Sequence, residues 1–139
     1  MLVSKDRIGI LMEQKIEALL KKSQKYLRSA AVLFELEDFD SCASRAYFAM
    51  FYVAQAMLLH ETEAFSSKQG IRTSFVRQFV ERGPLPARAG EVFERASELQ
   101  EVGDYAHGFA VSREDAEDIL AESEAFVNSI TNIVERKVV

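Results

Sequence analysis

The chain has 139 residues, of which 48% are hydrophobic and 28% charged, and its formal net charge is −5. These values are typical of one globular domain, here spanning residues 1–139, and they exclude general disorder. The single cysteine excludes an intrachain disulfide and a cysteine-rich zinc module, and the six glycines and two prolines argue against an all-β fold with many tight turns.

The charge is distributed unevenly along the chain. Residues 1–82 hold 12 basic and 10 acidic side chains, whereas residues 83–139 hold 5 basic and 12 acidic ones. The chain is therefore not a general polyanion binder, and any contact with nucleic acid is expected to use a local patch on the first half.

Two helices are predicted in the first half. Apolar residues at spacings of three and four predict an amphipathic helix over about Asp6–Leu36, with Ile8 and Leu11 on its apolar stripe. Acidic residues at 37, 38 and 40 break this pattern, and Asp40 or Ser41 is expected to N-cap a second helix that extends to His60.

Three more helices are predicted, over about Lys68–Glu81, over Ala87–Gly108, and from the N-cap Ser112 to about Val134. The run Gly-Pro-Leu-Pro at 83–86 stops the third helix. No segment has a convincing strand pattern. The expected fold is all-α, a five-helix antiparallel bundle with a four-helix up-and-down core plus one short helix.

The second helix is unusually apolar, since from Ala46 to Leu59 only Gln55 is polar. Such a helix must be enclosed on most sides, so part of it is expected to meet a second protomer. This 14-residue run would span about 21 Å as a helix, less than the roughly 30 Å of a bilayer core. We therefore expect no membrane span, and the charged N-terminus does not resemble a signal peptide, so a cytoplasmic location is the default.

The segment from Gln100 to Phe109 brings an acid, a phenol and an imidazole close together in sequence, at Asp104, Tyr105 and His107. On a helical turn Asp104 and His107 share a face, and a carboxylate beside an imidazole suits general acid–base catalysis. The other interpretation is a helix C-terminus with a histidine near the last carbonyls.

Arg45 opens the apolar helix and has two interpretations. It could bind phosphate or pair with Asp104 or another acid, or it could form an ordinary ion pair between helices. Cys42 is predicted to be a buried, unreactive thiol. The nearby aromatic residues at 47, 48, 51 and 52 are predicted to be core and interface residues rather than base-stacking platforms.

The run Ser44–Tyr52, SRAYFAMFY, resembles the S-R-A-Y-Y-A-x-F pattern in the second helix of HEPN-domain proteins. An E-L-x-x-x-x-D-Y stretch at Glu98–Tyr105 and a K-x-G-I stretch at Lys68–Ile71 look similar to the same group. The likeness extends over about Lys15–Val134. It implies an all-α bundle that forms homodimers, often encoded beside a minimal nucleotidyltransferase, some such pairs acting as toxin and antitoxin.

The resemblance also implies a chemistry for the active members, which are metal-independent ribonucleases. Their motif is an arginine that holds phosphate, followed after a few residues by a histidine that acts on the RNA 2′-hydroxyl. His107 matches this histidine, but the position six intervening residues earlier is Gln100. A glutamine supplies neither a cation nor a bidentate phosphate clamp, and Arg45 is a candidate to replace it in space.

The predicted function is therefore that of a HEPN-type helical dimer, toxin-like or the accessory partner of a minimal nucleotidyltransferase. It would bind RNA or nucleotide at the dimer cleft through Arg45 and Gln100, without metal or cofactor. One alternative is a metal-independent ribonuclease with His107 as acid and base, supported by Asp104 and Tyr105. Another is a non-catalytic assembly domain.

Overall fold

The computed structural model describes residues 2–62, 68–105 and 110–138, and it describes side chains at 7–61, 70–104 and 110–136. Helices account for nearly all of these residues, and no strand occurs among them. The all-α prediction is confirmed. The helices are α1 (Leu2–Glu35), α2 (Phe39–Thr62), α3 (Lys68–Phe75), which continues as a π-helical turn (Val76–Glu81), α4 (Ala87–Tyr105) and α5 (Arg113–Val138).

Helix α2 is the centre of the bundle, and buried serines attach its neighbours to it. Ser23 of α1 donates from Oγ to the carbonyl of Ala49 at 2.7 Å, and Ser123 of α5 donates to the carbonyl of Ala46 at 2.9 Å. Alanines at these two positions let the flanking helices approach closely. Helices α1 and α4 run opposite to α2, whereas α5 runs in the same direction as α2, which is the predicted up-and-down order.

One protomer covers α2 almost completely. Between Ala46 and Leu59 only Phe48, Tyr52 and Gln55 are partly exposed, and the other residues are buried. The apolarity of α2 is thus explained by its central place among α1, α3, α4 and α5. A second protomer is not required for its burial, and the homodimer stays a prediction.

The turn between α1 and α2 corrects the predicted cap. The side chain of Asp38, not that of Asp40 or Ser41, caps α2, because its Oδ1 accepts the Ser41 amide at 3.2 Å. Glu37 adopts a φ of 61°, the left-handed conformation that ends many helices. Its amide donates to the Phe34 carbonyl at 2.9 Å, and the Asp38 amide donates to the Leu33 carbonyl at 2.9 Å. These bonds stop α1 within one turn.

The third helical region also departs from the prediction of one continuous α-helix, since the π-helical turn begins at Val76. Phe75 and Phe79 remain buried neighbours across this change, with ring centroids 5.4 Å apart. The Leu85 amide donates to the Phe79 carbonyl at 2.9 Å, which closes the turn ahead of α4.

Helix α1 is longer than the helix it packs against. It has 34 residues and α2 has 24, a difference of about 15 Å along the helix axis. The start of α1 therefore has no part of α2 opposite it, and Ile8 and Leu11 of the predicted apolar stripe are 57% and 62% exposed. None of the helices in the described ranges combines the length and apolarity needed to cross a bilayer.

Candidate functional site

A line of polar side chains runs between α2 and α4, through an otherwise apolar interface. We call it the polar seam, and its members are Asp40, Ser44 and Tyr47 of α2, Arg72 of α3, and Ser97, Gln100 and Asp104 of α4. The members on each long helix are spaced by three or four residues, so they share one face. The spacing of Ser97, Gln100 and Asp104 is visible in the sequence, and it is the pattern from which the α4 side of the polar seam can be predicted.

Asp104 forms one end of the polar seam. Its Oδ2 accepts hydrogen bonds from Ser44 Oγ at 3.1 Å and from Gln100 Nε2 at 2.8 Å. Gln100 is only 2% exposed, so its amide is directed at Asp104 rather than at solution. Gln100 therefore holds the carboxylate in one orientation, and a ligand in solution would meet Asp104 before it met Gln100.

Arg72 occupies the other end of the polar seam, and sequence reasoning missed it. Its guanidinium donates to Ser97 Oγ and lies beside the Tyr47 phenol. Burial raises the pKa of Tyr47 above its ordinary value, and the Arg72 charge acts in the opposite direction. Tyr47 is consequently a neutral phenol at physiological pH, held next to a cation that is partly exposed.

Asp40 joins the polar seam to the beginning of α5. Its Oδ1 accepts the Val111 amide at 2.7 Å. Its backbone also lies against Gly103, where a Cβ would come within 3.0 Å of the Asp40 carbonyl oxygen. The two ends of the connection between α4 and α5 are thus both fixed to the first turn of α2.

His107 belongs to that connection and lies outside the described residues. Tyr105 is the last residue of α4, and its side chain lies outside the described part as well. The structure therefore locates Asp104, and the roles of His107 and Tyr105 remain predictions. After the connection, Ser112 caps α5 as predicted, because its Oγ accepts the Asp115 amide at 3.0 Å.

Arg45 lies on the other side of α2, facing α1. Its guanidinium stacks on the ring of Tyr26 at 4.7 Å from the centroid, and the side chain is exposed. The carboxylate of Asp104 is instead occupied by Ser44 and Gln100. Pairing with Asp104, one of the interpretations of Arg45, does not occur, because adjacent positions on a helix point about 100° apart and Ser44 already faces α4. The structure does not bring Arg45 to the polar seam.

Comparison with known proteins relates this chain to one family of domains and to several similar proteins. The model of the HEPN domain matches residues 16–134. A UPF0332 protein of Thermotoga maritima is 29% identical over 88% of this chain and 93% of its own. Two proteins of Methanocaldococcus jannaschii that carry the name "putative toxin" are 27% and 30% identical, over 84% and 86% of this chain and 79% and 88% of their own lengths.

A solved structure supports the architecture. The crystal structure of TT1696 from Thermus thermophilus superposes with a TM-score of 0.71 over 85% of this chain and 97% of that protein. The two sequences are 14% identical, so the likeness concerns the fold alone.

Proposed function

Since the chain belongs to the HEPN domain family, we propose that it is a toxin-like protein that binds RNA as a homodimer, at the end of the polar seam formed by Asp104. The toxin names of two relatives support the toxin-like part of this proposal. The family resemblance supports RNA as the ligand, the homodimer, and a minimal nucleotidyltransferase as the partner protein.

The observation that carries the proposal is the fixed carboxylate of Asp104. Ser44 and Gln100 hold it at the end of α4, three residues before His107 in the sequence. A carboxylate close to an imidazole raises the proton affinity of the imidazole and orients the ring. We assign the role of this imidazole to His107 because it is close to Asp104 in the sequence, with the sugar–phosphate backbone of RNA as its target.

Gln100 makes this site poorly suited to cutting RNA. It stands where the family motif has an arginine, it is neutral, and its amide is used by Asp104. Loss of one charged or hydrogen-bonding donor to a transition state costs about 10²–10³ in rate at comparable sites. We therefore expect cleavage of RNA by the natural sequence to be slow.

Gln100→Arg tests this interpretation. An arginine at this position would exchange the hydrogen bond to Asp104 for an ion pair and would bring a cation to the site. We expect cleavage of single-stranded RNA in the presence of EDTA to rise by up to about 10²–10³, and His107→Ala in the same background to remove the gain. Gln78→Arg, which adds the same charge on the π-helical turn, is the matched control and should change nothing.

The second candidate function is a fully competent, metal-independent ribonuclease with His107 as acid and base, and the fixed Asp104 also favours it. Rapid cleavage by the natural sequence that is abolished by His107→Ala would establish this function and would contradict the proposal. If the natural sequence and Gln100→Arg neither cut nor bind RNA, the assembly role is the remaining interpretation.

A further inference from the structure

A groove with a basic lining opens between α1, the first turns of α2 and the end of α5. Its volume is about 890 Å³, and its cations are Lys21, Lys22, Lys25 and Arg28 of α1 together with Arg45 of α2. The chain as a whole carries a net charge of −5. This concentration of positive charge on one face is therefore a local feature that opposes the charge of the molecule.

Two of these cations are held in place by aromatic rings. Lys22 Nζ lies 4.5 Å from the centroid of Tyr52, and the Arg45 guanidinium lies 4.7 Å from the centroid of Tyr26. The two tyrosines meet edge to face, with centroids 5.1 Å apart. Burial, and then the adjacent Tyr26, raise the pKa of Tyr52, so this ring is a neutral phenol at physiological pH.

The lining of the basic groove holds five cations and two carboxylates, Glu17 and Glu135, so its net charge is positive. Elsewhere in the described part of the chain, Arg88, Arg95 and Arg113 pair with Glu122, Asp115 and Glu37 respectively. In the groove Lys21 pairs with Glu17 at 3.1 Å, whereas Lys22, Lys25, Arg28 and Arg45 form no ion pair with any described side chain. All four side chains are exposed, so an external anion can reach them.

We propose that this basic groove binds the phosphate backbone of single-stranded RNA, as a second site separate from the polar seam. The choice of RNA as the polyanion rests on the proposed function. The inference adds a binding site for the part of the RNA strand that lies outside the polar seam. Ser44 and Arg45 are neighbours in α2, so one strand can leave the seam on the α4 side of this helix and enter the groove on the α1 side.

The geometry favours recognition of the backbone over recognition of bases. Cations already cover the Tyr26 and Tyr52 rings, so bases cannot use these faces for stacking. Lys21, Lys25 and Arg28 follow one another on one face of α1 over about 10 Å. A row of cations of this kind matches a polymer with one negative charge per nucleotide, and Arg28 and Arg45 can each hold a phosphate bidentately.

The test measures binding of a labelled single-stranded 2′-O-methyl oligouridylate of about 12 nucleotides, a length within the site sizes of single-strand binders. This probe lacks the 2′-hydroxyl, so cleavage does not affect the reading. For Lys25→Gln/Arg28→Gln we expect weaker binding and a slope of log K against log salt that is smaller by about 1.4, since each lost phosphate contact removes about 0.7. Arg77→Gln/Arg82→Gln removes the same charge from exposed positions outside the groove and should leave the slope unchanged.

A second measurement does not depend on substitutions. The probe should protect Lys22 and Lys25 from acetylation and leave the exposed Lys15 reactive. The proposal is overturned if the two double variants lose affinity equally, if no lysine of the basic groove is protected, or if a polyglutamate peptide binds the groove and the oligouridylate does not.

Failure of the groove and failure of the proposed function give different results. Suppose that the groove variants bind RNA like the natural protein, that the probe protects no groove lysine, and that Gln100→Arg cuts RNA. The proposed RNA site in the groove is then wrong and the proposed function stands. Suppose instead that the salt dependence of binding falls as expected in Lys25→Gln/Arg28→Gln, while Gln100→Arg neither cuts RNA nor binds it more tightly. The RNA site in the groove then stands, and the role proposed for the polar seam is wrong.

Discussion

The thiol of Cys42 is completely enclosed near the start of α2. Burial, and then the negative charge of Asp38, raise its pKa from the ordinary value of 9.0 to about 11. Because the thiolate is the nucleophile in thiol chemistry, the folded protein should react slowly with thiol reagents at pH 8. Urea-unfolded protein should react at the ordinary rate, and this comparison measures the protection directly.

The same shift predicts a dependence of stability on pH. The folded state keeps the thiol protonated while the unfolded state loses the proton above pH 9, so the contribution of Cys42 is complete below pH 9 and is lost as the pH rises to about 11. We expect the urea midpoint of the natural protein to fall over this range more steeply than that of Cys42→Ala. Identical slopes for the two proteins would contradict the prediction.

Individual residues show what local sequence can and cannot predict. The burial of Cys42 and the Ser112 cap follow from hydrophobic periodicity and helix-end chemistry, and both were predicted. The capping role of Asp38 and the occupation of Asp40 by Val111 were not. The latter bond joins residues 71 apart in the sequence, and no local pattern records a partner at that distance.

At the scale of helices, α4 carries two glycines that face very different surroundings. A Cβ on Gly103 would lie 3.0 and 3.1 Å from backbone atoms of Asp40, which cannot give way without moving α2. A Cβ on Gly90 would lie 3.5 Å or more from flexible valine methyl groups, an ordinary van der Waals distance. Gly103 is therefore required for the approach of α4 to α2, whereas Gly90 is not required for packing.

This contrast predicts opposite effects of the same substitution. Gly90→Ala should raise the free energy of unfolding by roughly 0.5–1 kcal/mol, because alanine has the higher helix propensity. Gly103→Ala gains the same propensity but should destabilise the protein overall, since the end of α4 must move away from Asp40. Urea denaturation of the two variants measures both effects, and stabilisation by Gly103→Ala would show that the approach is not tight.

The helices themselves were largely predictable, because each long helix carries a continuous apolar stripe. Predicted and observed starts agree within a few residues for α2, α3, α4 and α5. The π-helical turn at Val76 was not predicted. The uneven charge assigned any nucleic-acid patch to the first half of the chain, where all five groove cations lie, but the groove itself was not predicted. The turn leaves the spacing of Phe75 and Phe79 unchanged, and the groove arises from residues on three separate helices.

At the scale of the whole molecule, the exposed large apolar side chains of the described residues lie at the two ends of α1 rather than along α2, with Val32 and Leu36 at its end and three residues at its start. Ile8, Ile10 and Leu11 are more than half exposed there. Phe48 and Tyr52 are instead partly buried among other aromatic rings of the same chain. Charged substitutions at 48 or 52 are thus expected to disturb folding, and substitutions in α1 are the cleaner probe of the homodimer.

We expect the natural protein to sediment as a dimer at micromolar concentration, with the start of α1 contributing to the contact. Ile8→Glu/Leu11→Glu should shift it to monomer without loss of helical circular dichroism, because neither side chain belongs to the core. Gln14→Glu/Ala18→Glu, which adds the same two negative charges at exposed positions of the same helix, controls for the altered charge. A natural protein that sediments as a monomer would contradict the homodimer, and a double variant that stays dimeric would place the contact elsewhere.

The double attachment at Asp40 has a consequence for how this architecture diversifies. Gly103 and Val111 are both fixed to the same first turn of α2, so the span between them begins and ends at points that the bundle holds constant. Closing a longer span costs little extra entropy, about 0.6 kcal/mol for each doubling of its length. Residues can therefore be exchanged or inserted between these anchors while the scaffold is inherited unchanged, and new reactivity can evolve there without a new fold.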